Sequence, residues 1–138
     1  MVLNIVLDDG AFVPVRAHRY NAGLDLKAME HGLLMPGTGK VFNTGVHAQI
    51  PEGFCGLIRS RSGMMVWHDI ITDGTIDSHY TGAIRVKLFN LGAEPYEVRP
   101  GDKIAQMVIV PCELPGTVVE YSMGETDRGE GGFGSTGR

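Results

Sequence analysis

Cysteine is scarce in this chain: Cys55 and Cys112 are the only two. Neither belongs to a Cys-x-x-Cys pair or stands beside a histidine at metal-ligand spacing. A disulfide scaffold and a zinc site are thereby excluded, and both thiols are expected to be small buried groups of a protein in a reducing compartment. Long apolar runs are missing too. None approaches the ~20 residues that a membrane-spanning helix needs, so no membrane association is expected. Met1 to Leu7 is apolar but has no basic n-region, extended h-region or small-residue cleavage site, which reads as no signal peptide and a cytoplasmic location. Basic charge is also in short supply, with 12 Lys and Arg against 16 Asp and Glu and a net charge of −4. A general nucleic-acid surface needs a basic face, so direct nucleic-acid binding is not expected, although a few placed arginines could still hold one small anion.

Turn formers are abundant instead. Glycine and proline together supply 27 of 138 residues, well above the ~12% usual for the two, while apolar alternation persists between them. Many short strands joined by tight turns follow, in one domain long enough to bury roughly 68–70% of its unfolded surface. Asp8-Asp9-Gly10, between apolar runs from Leu3 to Val15, predicts a hairpin. Met35 to Gly39, Pro51 to Gly53, Leu91 to Pro95 and Arg99 to Asp102 read as further turns, and Val41 to Ile50 as a strand interrupted at Gly45. Ile84, Val86 and Leu88 alternate with polar positions, the pattern of a strand buried on one face. Ile104 to Val110 is apolar on both faces except at Gln106. Such a strand is covered on both sides, by the core and by a second subunit, and its glutamine is either a structural hydrogen bonder or a ligand contact.

Four stretches carry chemistry. Gly74-Thr75-Ile76-Asp77-Ser78-His79-Tyr80-Thr81-Gly82 puts a carboxylate and a phenol into one glycine-bracketed hairpin, with Ile76 directed inward and Asp77 and Tyr80 outward, over one small ligand. The plain alternative is an Asx turn with a partly buried tyrosine. Asp25, between Leu24 and Leu26, faces away from the core, onto solvent or into a site. Arg59-Ser60-Arg61-Ser62-Gly63 precedes the apolar Met64, Met65 and Trp67, as expected for a short helix capped by Ser60 or Ser62 whose start and two arginines suit a phosphate; a capped helix with solvated arginines is the alternative. Trp67 is expected to cover the core. The glycine-rich end from Arg128 to Arg138 cannot build a core. Its N–H groups with Ser135 and Thr136 suit phosphate oxygens, and Phe133 suits a base, if a ligand or a neighbouring subunit holds it.

Taken together these stretches resemble the trimeric all-β dUTPases over essentially the whole chain. Ala22 to Leu26, Arg61 to Gly63, Gly74 to Gly82, Gly101 to Gln106 and Arg128 to Gly137 are similar, in order, to that family's five motifs. The resemblance implies a distorted jelly-roll β-barrel with one short helix over residues 1–125 and an arm over 126–138 that closes the active site. It implies a homotrimer with sites shared between subunits, and Mg²⁺-dependent hydrolysis of dUTP to dUMP and pyrophosphate. In the family pattern Asp77 activates the water that attacks the α-phosphorus, Tyr80 packs on the deoxyribose, and Gly74 and Ile76 border the base. Asp25 holds waters of the Mg²⁺ shell. Arg61, Ser62, Gly63 and Gln106 bind phosphate oxygens, and Arg128, Gly134, Ser135 and Thr136 close the γ end with Phe133 stacked on uracil. Met64-Met65 and Trp67 depart from the usual residues there, and Ile71 stands where an asparagine is common, which bears on the uracil contacts. Two other readings accompany this one. A deoxycytidine triphosphate deaminase shares the fold but carries a catalytic glutamate where this chain has Lys87. A dUTPase-like regulatory module would bind a partner protein under nucleotide control, with the Trp67 region as the surface to inspect.

Overall fold

A computed structural model describes all residues from Met1 to Arg138. Eleven strands and one short helix make an all-β, jelly-roll-like fold: β1 (Asn4–Leu7), β2 (Leu24–Lys27), β3 (Gly32–Leu34), β4 (Gly39–Asn43), β5 (Val46–Gln49), β6 (Phe54–Arg59), α1 (Ser62–His68), β7 (Ile70–Ile71), β8 (Asp73–Ile76), β9 (Arg85–Asn90), β10 (Tyr96–Val98) and β11 (Lys103–Pro111). The ladders form four sheets, β1-β5, β10-β3, β2-β11-β6-β8 and β4-β9-β7, all of whose pairings are antiparallel.

One core fills the space between them. Leu26, Phe42, Val46, Ile58, Ile84, Val86, Leu88, Val98, Ile104 and Met107 all belong to it. β9 reads as its sequence predicts, with Val86, Leu88 and Asn90 buried and Arg85, Lys87 and Phe89 outward. β11 is the spine of the largest sheet, pairing with β2 on one side and β6 on the other.

The glycine-marked interruption in residues 41–50 is a corner between sheets. β4 pairs with β9 and β5 with β1, and Gly45 turns the chain at φ +64. A Cβ there would meet the Met29 sulfur at 2.3 Å, so only glycine fits. Thr44 is fully buried at the same corner. Its hydroxyl donates to the Ile84 carbonyl at 2.7 Å and accepts from the Val46 N–H. An apolar side chain would leave the Val46 N–H without that partner, at a cost of about 1–3 kcal/mol, while the Ile84 carbonyl would keep the Thr44 N–H.

Four local expectations are corrected. Asp8-Asp9-Gly10 does form a turn, with Ala11 N–H donating to the Asp8 carbonyl, but β1 pairs with β5 and residues 11–15 add only one bridge, Val15 to Asp25. A turn signal specifies reversal of the chain, and tertiary packing chose a different partner. Gly74 to Gly82 is likewise not a paired hairpin: β8 pairs with β6 while β9 pairs with β4 and β7. The helix does form, but Arg61 is its N-cap and no side chain caps it. Ser60 instead accepts from the Thr72 N–H at 2.9 Å and donates to the Thr72 carbonyl at 3.0 Å. Trp67 does not cover the core; it is 79% exposed.

Candidate active site

Asp25 lies opposite Gln106, and Gln106 lies opposite Arg59, so three neighbouring strands bring the first, second and fourth motifs to one end of the main sheet. The Asp25 carboxylate is 13% exposed and meets Lys103 Nζ at 2.7 Å and Arg61 Nε at 3.6 Å. Arg61 also donates from Nη1 to the Lys103 carbonyl at 3.3 Å. Two cations on one carboxylate leave a local surplus of one positive charge, with guanidinium donors to spare for an anion. Gln106 donates to the Ser60 carbonyl at 3.1 Å, which answers the question its polar side chain raised. This bond occupies one of its two amide protons, and the second remains for a ligand oxygen. A Cβ on Gly23 would sit 2.3 Å from Gln106 Oε1 and 2.8 Å from Gln106 Cβ. Ser62 and Gly63 are exposed on the first turn of α1 beside the cluster.

Asp77 and Tyr80 stand elsewhere on the same sheet. β8 is an edge strand, paired with β6 alone, so one line of its backbone N–H and C=O groups is free. Ile76 packs against the core while Asp77 and Tyr80 are exposed, as their alternation implies. With Thr75, Ala83 and Arg85 they line a cavity of about 300 Å³. The loop is tight: Tyr80 N–H donates to the Asp77 carbonyl at 3.3 Å, the Tyr80 hydroxyl donates to the Ala83 carbonyl at 3.2 Å, and a Cβ on Gly82 would sit 2.3 Å from the Tyr80 oxygen. Below it, burial pushes the Cys55 thiol up, the adjoining Cys112 thiol adds to that, and the Asp77 charge adds a smaller push.

The chain therefore carries two separate clusters. Ile76 pairs with Gly56 and Gln106 with Arg59, so Asp77 follows opposite Cys55, four residues along β6 from the Asp25 cluster. At ~3.3 Å per residue that is about 13 Å. The arm joins neither cluster. Residues 113–138 form no strand and are exposed except at Gly131, and their backbone hydrogen bonds are local, such as Gly131 N–H to the Arg128 carbonyl and Ser135 N–H to the Gly132 carbonyl. Phe133 is fully exposed at φ +39. This free stretch begins well before residue 126.

For a divalent cation the chain offers no group of three His, Cys, Asp or Glu side chains. Asp25, with a lysine 2.7 Å away, is suited to the water shell of a cation that arrives on a polyphosphate, and not to a protein-built cage.

Sequence reasoning missed three residues. Lys103 stands inside the fourth motif, one position from Asp102, and its pairing with Asp25 follows from the β2-β11 register. Arg85 borders the Asp77 cavity because β9 begins there. His47 meets the Asp77 loop across 34 positions, and no local pattern announced it.

Comparison with known proteins covers nearly the whole chain. A family profile described as dUTPase matches residues 10–137. The deoxyuridine 5'-triphosphate nucleotidohydrolase of Clostridium kluyveri is 46% identical, over 92% of this chain and 91% of its own; that of Beijerinckia indica is 40% identical over 99% and 90%. Among solved structures, a Staphylococcus bacteriophage 80alpha dUTPase with dUpNHpp superposes at TM-score 0.89 with 30% identity, covering 99% of both chains. A dUTPase from phage phi11, described with a structural Mg(II) ion, superposes at TM-score 0.82 with 28% identity over 88% of this chain and 98% of its own. With its first four motifs brought onto or beside one sheet and nearly its whole length matched by sequence and by fold, the chain belongs to the dUTPase family of hydrolases acting on dUTP.

Proposed function

We propose that this protein hydrolyses dUTP to dUMP and pyrophosphate by water attack on the α-phosphorus, and so keeps uracil out of DNA and supplies dUMP. The observation that carries the mechanism is the exposed Asp77 carboxylate beside Tyr80 in a cavity of about 300 Å³ at a free sheet edge. Asp77 holds the water and accepts its proton, a contribution of ~10²–10⁴ in rate. Tyr80 packs on the deoxyribose and leaves no room for a 2′-hydroxyl. The unpaired edge of β8 meets uracil as a strand partner would, with Gly74 and Ile76 bordering the base; cytosine, with donor and acceptor reversed, leaves those groups unsatisfied. Arg61, Ser62, Gly63 and Gln106 take the phosphates, and Arg128, Gly134, Ser135 and Thr136 close the γ end with Phe133 on the base. Mg²⁺ carried on the triphosphate, with Asp25 facing its water shell, supplies neutralisation of phosphoryl charge.

A water poised on Asp77 must lie within ~3–3.5 Å of the phosphorus it attacks. A phosphate grip about 13 Å away along the same strand is better met by a second copy of the chain, which supports a homotrimer with shared sites. Val118, Val119, Tyr121 and Met123 support it as well, because they are almost fully exposed and have no apolar cover within their own chain. A cytoplasmic location fits the two free thiols, which adjoin without bridging.

Lys87 disfavours the deaminase: it lies outward on β9 with its ammonium 5.0 Å from the Phe89 ring centroid, a cation–π contact and not a catalytic carboxylate. A regulatory role alongside catalysis has one supporting observation, the exposed Met65, Val66 and Trp67 on α1. The phage 80alpha dUTPases are described as controlling transfer of virulence genes.

The purified protein with Mg²⁺ and, separately, dUTP, dCTP, dTTP and UTP tests the reading. Pyrophosphate from dUTP alone is expected. Turnover of dCTP with release of ammonia, or binding of dUTP without turnover, would overturn it.

A further inference from the structure

We propose that His47 is a positioning residue for dUTP hydrolysis, its imidazole pinning the 77–83 loop, and with it Asp77 and Tyr80, to the β1-β5 ribbon. The inference rests on the reading of Asp77 and Tyr80 as the groups that touch substrate. Inside that loop the hydrogen bonds are Tyr80 N–H to Asp77 and Tyr80 hydroxyl to Ala83, at 3.3 and 3.2 Å. Neither anchors it to anything outside. The one hydrogen bond from residues 77–83 to the rest of the chain runs from His47 Nδ1 to the Thr81 carbonyl, at 2.7 Å. On its other side the ring meets the Asp8 carboxylate, Nε2 to Oδ1 2.9 Å.

The loop needs such a hold. His79 sits at φ +66 without being glycine, and a residue in that region costs of order 1–3 kcal/mol unless its surroundings over-determine it. His79, Tyr80 and Thr81 also form one wall of an open cavity of about 810 Å³ whose other side is built by β1 and β5. Packing on that side is therefore thin, and the tether carries the placement.

Both acceptors facing the ring are oxygens without protons, so the ring serves both only as imidazolium. The Thr81 carbonyl first, and Asp8 second, hold the His47 pKa above 6.5. The charged or titratable groups around the same cavity are Asp8, Glu52, His79 and Tyr80. Because folding raises this pKa, the doubly bonded state is fully present below about pH 6.5 and is lost as pH rises through the folded-state value. Above it the ring keeps one proton and releases one of its two partners.

The test compares the full-length wild type with His47→Ala, His47→Asn and Asp8→Asn. An asparagine amide can reproduce the Nδ1 donor but cannot titrate. His47→Ala is expected to lower kcat for dUTP about tenfold, since displacements of ~1 Å at a reacting group cost up to ~10². KM should change little, the preference for dUTP over UTP should shrink, and the melting midpoint should stay within a few degrees. His47→Asn is expected to restore most of kcat, and Asp8→Asn to move the imidazole titration seen by NMR toward pH 6.5. Wild-type kcat in His47→Ala, or equal losses in the alanine and asparagine variants at unchanged melting, would overturn the proposal. Hydrogen exchange over residues 77–83 separates this failure from failure of the underlying site reading. Faster exchange in His47→Ala supports the tether even if Asp77→Asn keeps full turnover, and unchanged exchange sinks it.

Discussion

Gly23 has no side chain because Gln106 fills the space that one would need. That exclusion holds β2 against β11 closely enough for Asp25 to reach both Lys103 and Arg61. At the other cluster Asp77 has no such partners; its carboxylate is open to water. In the proposed mechanism the two aspartates have different work: Asp25, paired with Lys103 and Arg61, faces cations, and Asp77 accepts the proton of water. Asp77→Asn keeps shape and hydrogen bonding while removing the basic oxygen. It should bind dUTP with near-native affinity and lose ~10²–10⁴ in kcat, and calorimetric titration beside steady-state kinetics would show both; native turnover would remove Asp77 as the base. The outward placement of Asp25 and Asp77 was legible in the sequence, because each is an acidic residue near glycines that alternates with an apolar neighbour. Lys103 and His47 were not, since their partners are fixed by cross-strand register and by a fold-back of 34 positions, and neither leaves a local trace.

Among the elements, β9 and β11 were legible nearly in full, since alternation and two-sided apolarity report burial directly. Pairing was less so. The turn at Asp8-Asp9-Gly10 and the loop from Gly74 to Gly82 both resemble hairpins locally, but their flanking strands join different sheets. Turn chemistry records that the chain reverses, whereas the choice of strand partner rests on where each apolar face finds cover. The helix cap failed for a similar reason: the Ser60 hydroxyl has a better use tying β6 to Thr72. The arm is an element only in prospect. With its hydrogen bonds local and its side chains exposed, removing residues 126–138 should leave the melting midpoint of the barrel unchanged. Turnover should fall by about 10²-fold or more, the scale of losing a transition-state donor. Retained turnover in the shortened protein would defeat the assignment of the arm to the active site.

At the scale of the whole molecule, the Asp25 cluster, the Asp77 loop and the arm lie apart within one chain, so the proposed reaction calls for more than one copy. Assemblies formed by co-expressing Asp77→Asn chains with chains lacking 126–138 should recover a measurable part of wild-type turnover, although each chain alone is nearly inactive. A sound Asp77 from one copy can then meet a sound arm from another. No recovery in mixed trimers verified by native mass spectrometry would mean that each site belongs to one chain. The free arm also bears on how a turnover ends. Fixing each backbone residue costs roughly 1–2 kcal/mol, and a segment with Gly129, Gly131, Gly132, Gly134 and Gly137 stands at the upper end of that scale. In the proposed mechanism, closure over the triphosphate is then sustained only while its full charge is present in one place. Once the bond is cut and that charge is divided between two fragments, the closed state loses its support, and the same ordering cost that weakens substrate affinity speeds the departure of products.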